Sequence, residues 1–490
     1  MPSASETTAN APLTPAAPPP KREKLYAEHQ KVYPQRIAGT FRRVKWAALV
    51  VLLGIYYLVP WLRWDRGPGA PDQAILIDMP GRRAYFFWIE IWPQEVYYLT
   101  GLLMLGAIGL FLATSLFGRV WCGFTCPQTV WTDLFLLVER YIEGDRNKRI
   151  KFDQSGFSLD KAVRKTAKHA VWLVIALATG GAWIMYFNDA PTVVREFFTG
   201  QAGSAVHGFV GLFTATTYLL AGWAREQVCI YMCPWPRFQA AMFDEHTTLV
   251  TYEEWRGEPR GHAKIGQSFE GRGHCIDCGL CVRVCPTGVD IRKGQQLACI
   301  GCALCVDACN SVMEKIGLPR DLITYDSIAN QEARARGETP KLRFVRPRTI
   351  AYATLLVIVA AVMIFALATR STVDVSVQPD RAPLFVTLSD GAIRNGYTFK
   401  ILNKEREPHS YRLAVEGIPG TELTVIGFQE APSQSATLPV AGDAVGSFRV
   451  FVRAPRESLT DESSALTLVA TDEATGQIVR RETIFRGPGK

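Results

Sequence analysis

The sequence predicts a multi-domain membrane protein: an α-helical transmembrane bundle of five spans, a ferredoxin-like α+β dicluster insert, and a C-terminal all-β immunoglobulin-like sandwich. Three observations predict it. Five apolar stretches each approach the roughly 20 residues that a bilayer core requires. Eight of the twelve cysteines fall in two regularly spaced runs between the fourth and fifth stretches. Past residue 370 the apolar pattern changes from helical spacing to alternation.

Residues 1–43 form an N-terminal tail. Its first 20 residues, with PLTPAAPPP, are rich in Pro and Ala and carry only Glu6 as a charge, a composition that predicts disorder. The spans follow at Val44–Leu62, Val96–Phe117, Ala170–Phe187, Val206–Ala224 and Ile350–Leu367. The second and fifth contain no charged residue, so a buried core helix is a poor account of them. In the third and fourth, Gly180, Gly181, Gly208 and Gly211 would suit close helix packing in lipid. The first span begins after a long basic tail and lacks the short core and cleavage site of a signal peptide. It is expected to stay as an anchor.

Basic residues set the expected orientation, because Lys and Arg concentrate in cytoplasmic loops. Eight precede or open the first span, among them Lys21, Arg22, Arg42, Arg43 and Lys45. The connection 118–169 holds ten and 225–349 holds seventeen, whereas 63–95 holds four and 188–205 only Arg195. The tail and the connections 118–169, 225–262 and 321–349 are therefore expected inside, and 63–95, 188–205 and 371–490 in the periplasm. The net charge of +8 reads as this topology signal, with no call for nucleic acid. All twelve cysteines then lie on the cytoplasmic side. A secreted disulfide framework would show the reverse.

The dicluster insert spans 263–320. HCIDCGLCVRVCPTG (274–288) and LACIGCALCVDACNS (297–311) each contain C-x2-C-x2-C-x3-C, the bacterial [4Fe–4S] ferredoxin spacing. Three thiolates of one run hold three corners of a cubane, and the fourth reaches the other cluster. Cluster one is thus assigned Cys275, Cys278, Cys281 and Cys309, and cluster two Cys299, Cys302, Cys305 and Cys285. Gly279 and Gly301 leave backbone room beside the sulfurs. Zinc knuckles, the alternative, use four ligands in two pairs. One departure stands out: Pro286 follows Cys285, but Asn310 follows Cys309, which should alter the local turn.

Two further pairs have the form C-x3-C-P, Cys122/Cys126 before Pro127 and Cys229/Cys233 before Pro234, each just past an apolar span. Residues i and i+4 share a helix face. Alternatively each Pro opens a new helix, whose dipole would favour thiolate. Buried free cysteine is the plain alternative. Two copies on the cluster side favour function, with packing of spans two and four gathering the four thiols. A third cluster, a soft metal ion such as copper and a dithiol couple all remain open.

Other polar candidates are weaker. His169 and His207 fall at opposite ends of their spans, too far apart to share a haem. Glu90 and Glu95 lie in an aromatic belt, YFFWIEIWPQEVYYL, as interfacial carboxylates, with a quinol or cation site as the alternative. The sandwich at 371–490 is read from seven alternating segments, LFVTL, YTFKILN, YRLAVEG, ELTVIGF, SFRVFVRAP, ALTLVATD and IVRRETIF. It shows no catalytic constellation, His409 reads as a surface residue, and docking is its expected use.

In FGRVWCGFTCPQTVW, CIYMCPWPRFQ and the two ferredoxin runs the chain resembles the FixG/RdxA/CcoG family, over nearly its whole length from about residue 30. The resemblance implies a bacterial inner-membrane iron–sulfur protein acting in maturation of cbb3-type cytochrome c oxidase. It also implies an oxidoreductase, a cupric reductase that delivers Cu(I) to the oxidase, with copper-handling and oxidase-assembly proteins as partners. Cys122, Cys126, Cys229 and Cys233 would then be the working site, fed by the clusters from an unnamed electron donor. A quinol-oxidising membrane ferredoxin and a non-catalytic assembly scaffold are the competing readings.

Overall fold

The computed structural model describes residues 31–67, 69–263, 266–429, 431–459 and 461–488. The Pro- and Ala-rich stretch, Lys21 and Arg22 lie outside them. The chain divides between Ala361 and Val362 into two units.

In the first unit and across its boundary run five helices long and apolar enough to cross a membrane: Thr40–Trp61, Pro93–Phe117, Leu159–Met185, Ser204–Ala224 and Pro347–Ala368. The third starts well before its apolar part, because Ser158 caps it by accepting from the Lys161 N–H at 3.2 Å with Asp160 in the first turn. It crosses the fourth helix at Gly180, where an added Cβ would lie 2.7 Å from the Val210 carbonyl oxygen. Gly181, Gly208 and Gly211 face open space, so only one of the four small residues makes a close crossing.

The connection between the first two helices is no plain loop. It folds as a three-stranded antiparallel sheet, Ile75–Asp78, Arg83–Phe86 and Ile89–Ile91. Arg66 ties it together by donating to the carbonyls of Phe87, Pro71, Gln73 and Ala74.

Helix Pro127–Glu143 turns its acidic side chains inward. Asp133 takes two 2.9 Å bonds from Arg42. Glu139 pairs with Arg149 at 2.7 Å and Arg225 at 3.0 Å, and Lys168 joins Glu143 at 2.9 Å. All of these groups are buried. Buried charges persist only when paired, and this network holds the first and third apolar helices to the segment carrying the first C-x3-C-P pair.

The cysteine-rich segment packs around a two-stranded antiparallel sheet, Leu249–Tyr252 with Ile323–Asp326, and helices Leu280–Val284 and Leu304–Lys315. Val250, Cys281, Val306, Met313 and Ile323 form its core. Asp307 of the second helix reaches out of the module. Its carboxylate accepts from the Phe41 and Arg42 N–H groups at 3.2 and 2.8 Å, capping the first apolar helix.

The second unit is a β-sandwich. One sheet orders Glu422–Val425, Ala444–Ala454, Ile393–Asn403 and Val373–Pro379, with the short Val386–Thr387 beside Ile393–Asn403. The other orders Ser435–Val440, His409–Glu416, Ser463–Asp472 and Ile478–Arg486. Alternate residues such as Ala436, Leu438 and Val440 face the shared core. Val373–Pro379 and Ser435–Val440 were not among the seven expected strands, and LFVTL shrinks to two residues. His409 corrects the surface reading: it is buried, its Nδ1 2.8 Å from Asp472 and its Nε2 3.2 Å from Glu405.

Candidate functional site

The two ferredoxin runs fold alike. In the first, Asp277 and Gly279 adopt positive φ (50° and 63°), and in the second Gly301 and Ala303 do (69° and 56°). Gly279 therefore corresponds to Ala303 and Gly301 to Asp277, so each loop has one left-handed position that glycine eases and one that it does not. Such alternation turns successive backbone N–H groups into a cradle for anionic groups, cluster sulfurs included. Each loop then starts a helix. The first stops at Cys285, where Pro286 follows, whereas Asn310 lets the second run on past Cys309 to Lys315. Asn310 is held by Asp321, donating at 3.1 Å and accepting at 2.8 Å.

Cys275, Cys278, Cys281 and Cys309 line one small cavity. Burial, with Cys281, Cys275 and Cys278 beside it, pushes the Cys309 thiol up to about 12. Cys285 lies instead by the other run: it adds to the burial that raises Cys299, Cys302 and Cys305, with Cys281 of the first run also adding at Cys305. Each group is an all-thiol donor set, which fits a [4Fe–4S] cluster. The first comes to the surface at Cys278, while Cys302 of the second is buried.

The C-x3-C-P segments also share a local build. Trp121–Thr125 and Val228–Met232 are wide π-type turns, a form frequent at functional sites. The N–H of each second cysteine closes its turn, Cys126 on Trp121 and Cys233 on Val228, both at 2.8 Å. Pro127 then opens a helix at its first position, and Pro234 caps the next, Trp235–Ala241. Burial works against the thiolate that the helix start favours. Burial raises Cys126 although the Thr129 and Gln128 N–H groups oppose it. Burial pushes Cys122 up to about 12 and Cys229 to about 11.

All four thiols sit within one another's influence: Cys126, Cys229 and Cys233 each raise Cys122 further, and Cys126 and Cys233 do so for Cys229. This neighbourhood adjoins the second ferredoxin run. Cys122 and Cys229 pack on Val284, Ile300, Cys302, Leu304 and Ala308. Gly123 comes so close that an added Cβ would lie 2.9 Å from the Gly301 carbonyl oxygen and 3.0 Å from the Cys302 nitrogen. Arg119 straps the junction, donating to Leu297 and Cys299 on one side (2.7 Å for Cys299) and to Pro236 on the other at 2.8 Å. Lys45 is buried nearby, offsetting part of the burial penalty on both Cys302 and Cys229. The sequence hinted at Arg119 only by its place three residues before Cys122. In the sequence Lys45 reads only as a topology charge.

The remaining candidates have other occupations. Glu90 pairs with Arg83 at 3.2 Å, and Glu95 accepts from the Trp92 N–H at 3.1 Å. His169 bonds the Tyr218 hydroxyl at 2.9 Å, and His207 stacks on Phe197. Among the described residues, no group of three or more His, Cys, Asp or Glu is drawn tightly enough to hold a single metal ion.

Comparison with known proteins adds three family matches. Residues 224–328 match a 4Fe-4S dicluster domain and 99–142 a 4Fe-4S binding domain. Residues 363–488 match the IG-like fold at the C-terminus of FixG. The chain is 49% identical to protein RdxB of Cereibacter sphaeroides over 96% of its length and 99% of that protein's. It is 50% identical to protein RdxA of the same organism, covering 93% and 96%. To nitrogen fixation protein FixG of Rhizobium meliloti it is 46% identical, covering 96% and 95%.

Proposed function

Because the chain belongs to the FixG/RdxA family of iron–sulfur proteins, we propose that it is a membrane electron-transfer protein. It passes single electrons to Cu(II) held at the C-x3-C-P thiols, giving Cu(I) for the copper centre of cbb3-type cytochrome c oxidase. The supporting observation is the close contact of the Gly123 turn with Gly301 and Cys302.

Bound clusters would supply one-electron transfer. The chain's own residues give it direction. Cys278 is the exposed member of its group, suited to take electrons from a soluble one-electron donor of the reduced ferredoxin or flavoprotein class. Cys302 is buried on the path toward Cys122 and Cys229. One electron from that donor is consumed for each Cu(II) reduced, and soft thiolates favour the Cu(I) product. The five apolar helices span the bacterial inner membrane, with the cysteines cytoplasmic and the sandwich periplasmic, following the Lys and Arg asymmetry. A reporter fused at the C-terminus should be active only if exported. Activity of a cytoplasm-only reporter there would reverse the sidedness.

Quinol oxidation has less support. An apolar cavity of about 490 Å³ is lined by Tyr57, Trp61, Met185 and Phe197 among others, at the end of the first apolar helix opposite Asp307. Tyr57 at the cavity and Lys45 beside the cysteines are 12 residues apart on that helix, which at 1.5 Å per residue puts roughly 20 Å between the cavity and the cysteines. Anaerobic turnover of the purified chain with a low-potential donor should produce Cu(I) in proportion to donor consumed. Donor-independent cluster reduction by quinol would favour the respiratory reading, and neither reaction would leave a scaffold.

A further inference from the structure

Arg119 carries a buried charge that no carboxylate among the described residues answers. It is 5% exposed. Its guanidinium donates to the carbonyls of Leu297, Cys299 and Pro236, and its Nε is buried without a partner. Four other buried arginines face carboxylates: Arg42 meets Asp133, Arg149 and Arg225 share Glu139, and Arg346 meets Asp244. A buried charge without a counter-charge is costly, and neutral carbonyls solvate the guanidinium without cancelling it. We infer that the counter-ion of Arg119 is the second iron–sulfur cluster, and that Arg119 raises the reduction potential of that cluster over what its thiolates alone would give.

The position fits. Arg119 donates at 2.7 Å to the carbonyl of Cys299, a ligand assigned to that cluster. Its Cβ lies against Gly301, where an added Cβ would meet it at 3.1 Å. Four thiolates leave a cubane site net negative, and reduction adds one more negative charge. A fixed cation alongside favours the reduced form, because Coulomb attraction grows with the charge it faces. Burial keeps that attraction from being screened.

The first cysteine group has the opposite balance. Arg292 lines its cavity with Cys275, Cys278, Cys281 and Cys309, but both Asp277 and Asp290 pair with it. Two carboxylates to one cation disfavour an added electron. Near the second group other charges are already engaged. Lys45 lies 4.0 Å from Asp133, and Asp307 turns its carboxylate to the Phe41 and Arg42 N–H groups. Arg119 therefore tilts the relay away from exposed Cys278 and toward the segment that meets Gly123. An electron taken at the surface is drawn inward. Arg119 acts through the cluster, not on the donor or on copper, so the inference rests on the electron-transfer reading but not on copper as acceptor.

Redox titration of the full chain in detergent, followed by EPR, tests this. Arg119→Gln should lower one cluster potential by about tenfold in the equilibrium constant, about 59 mV for one electron, and leave the other in place. Arg119→Lys keeps the charge and should keep that potential. Asp277→Asn should raise the other couple instead. The sign separates charge from structure. If Arg119 were only a strap, its loss would admit water, which stabilises the more highly charged reduced form and raises the potential. The Phe243 ring lies 5.9 Å from the guanidinium, so Phe243→Glu supplies the missing carboxylate with Arg119 in place. It should lower the same couple, which keeps the test decisive even where Arg119→Gln loses iron. No shift, a rise, or movement of the couple that Asp277→Asn also moves would overturn the inference. Cu(II) reduction on the same samples is a separate reading. The shift without it keeps the inference and removes copper, and Cu(II) reduction without the shift does the reverse.

Discussion

Cu(II) reduction is expected to collapse when Cys122 and Cys126 are both replaced by serine, while the dicluster module keeps its iron. Serine preserves size but offers a hard, protonated oxygen in place of a soft thiolate. Even residues that merely orient a metal ligand cost ~10–100-fold when removed, so loss of two ligands should cost at least that. The turn itself should survive, since the Cys126 N–H bond to Trp121 is made by backbone. Cys122 donates its thiol to Gln239 at 3.2 Å, a contact that a serine hydroxyl can keep. The measurement pairs Cu(I) formation with EPR of the dithionite-reduced protein. Normal Cu(II) reduction with normal iron content would make the pair packing residues.

Glu139→Gln should be the most damaging single change to stability. Glu139 is 1% exposed and faces three cations, Arg149 at 2.7 Å, Arg225 at 3.0 Å and Lys168 at 3.6 Å. Glutamine fits the space but leaves those charges without their anion. Breaking a buried pair on one side costs about 3–5 kcal/mol. Burial alone would raise this carboxyl, yet Arg225, Arg149 and Lys168 outweigh it and hold it down at about 2, below its ordinary 4.5. The folded-state value is depressed, so its stabilisation is complete above about pH 5 and fades as pH falls toward 2. Thermal melting in detergent should show the wild type losing stability over that acid range. The variant should start lower and lack that component. Equal melting temperatures at neutral pH would count against the network.

Much of this was legible in the sequence because the signals were periodic or strictly spaced. Apolar stretches located the five helices, and cysteine spacing located the two loops. What the sequence hid depends on contacts between distant segments. Nothing local shows that Gly123 meets Gly301, or that Lys45 lies beside Cys229. Left-handed Ala303 was masked because Gly301, two residues earlier, looked like the equivalent of Gly279. The sheet at 75–91 has strands of only three or four residues, too short for alternation to register. Ser435–Val440 carries no clear strand signal because small and polar residues dilute its pattern. His409 looked exposed since its partner Asp472 is 63 residues away.

The cap on the first apolar helix bears on how the molecule is made. Synthesis delivers Phe41 and Arg42 first, and the carboxylate that accepts their N–H groups arrives about 265 residues later. Until then the helix can form but its end stays open. Asp307 lies between Cys305 and Cys309, in a loop and helix whose shape follows from loading iron and sulfide, since ligand binding and folding of such sites are one process. Cofactor insertion is therefore expected to couple to closure of the N-terminal segment. Starved of iron, the chain should expose residues 31–42 to proteases that the loaded protein resists. The helix that emerges first is the last to be finished.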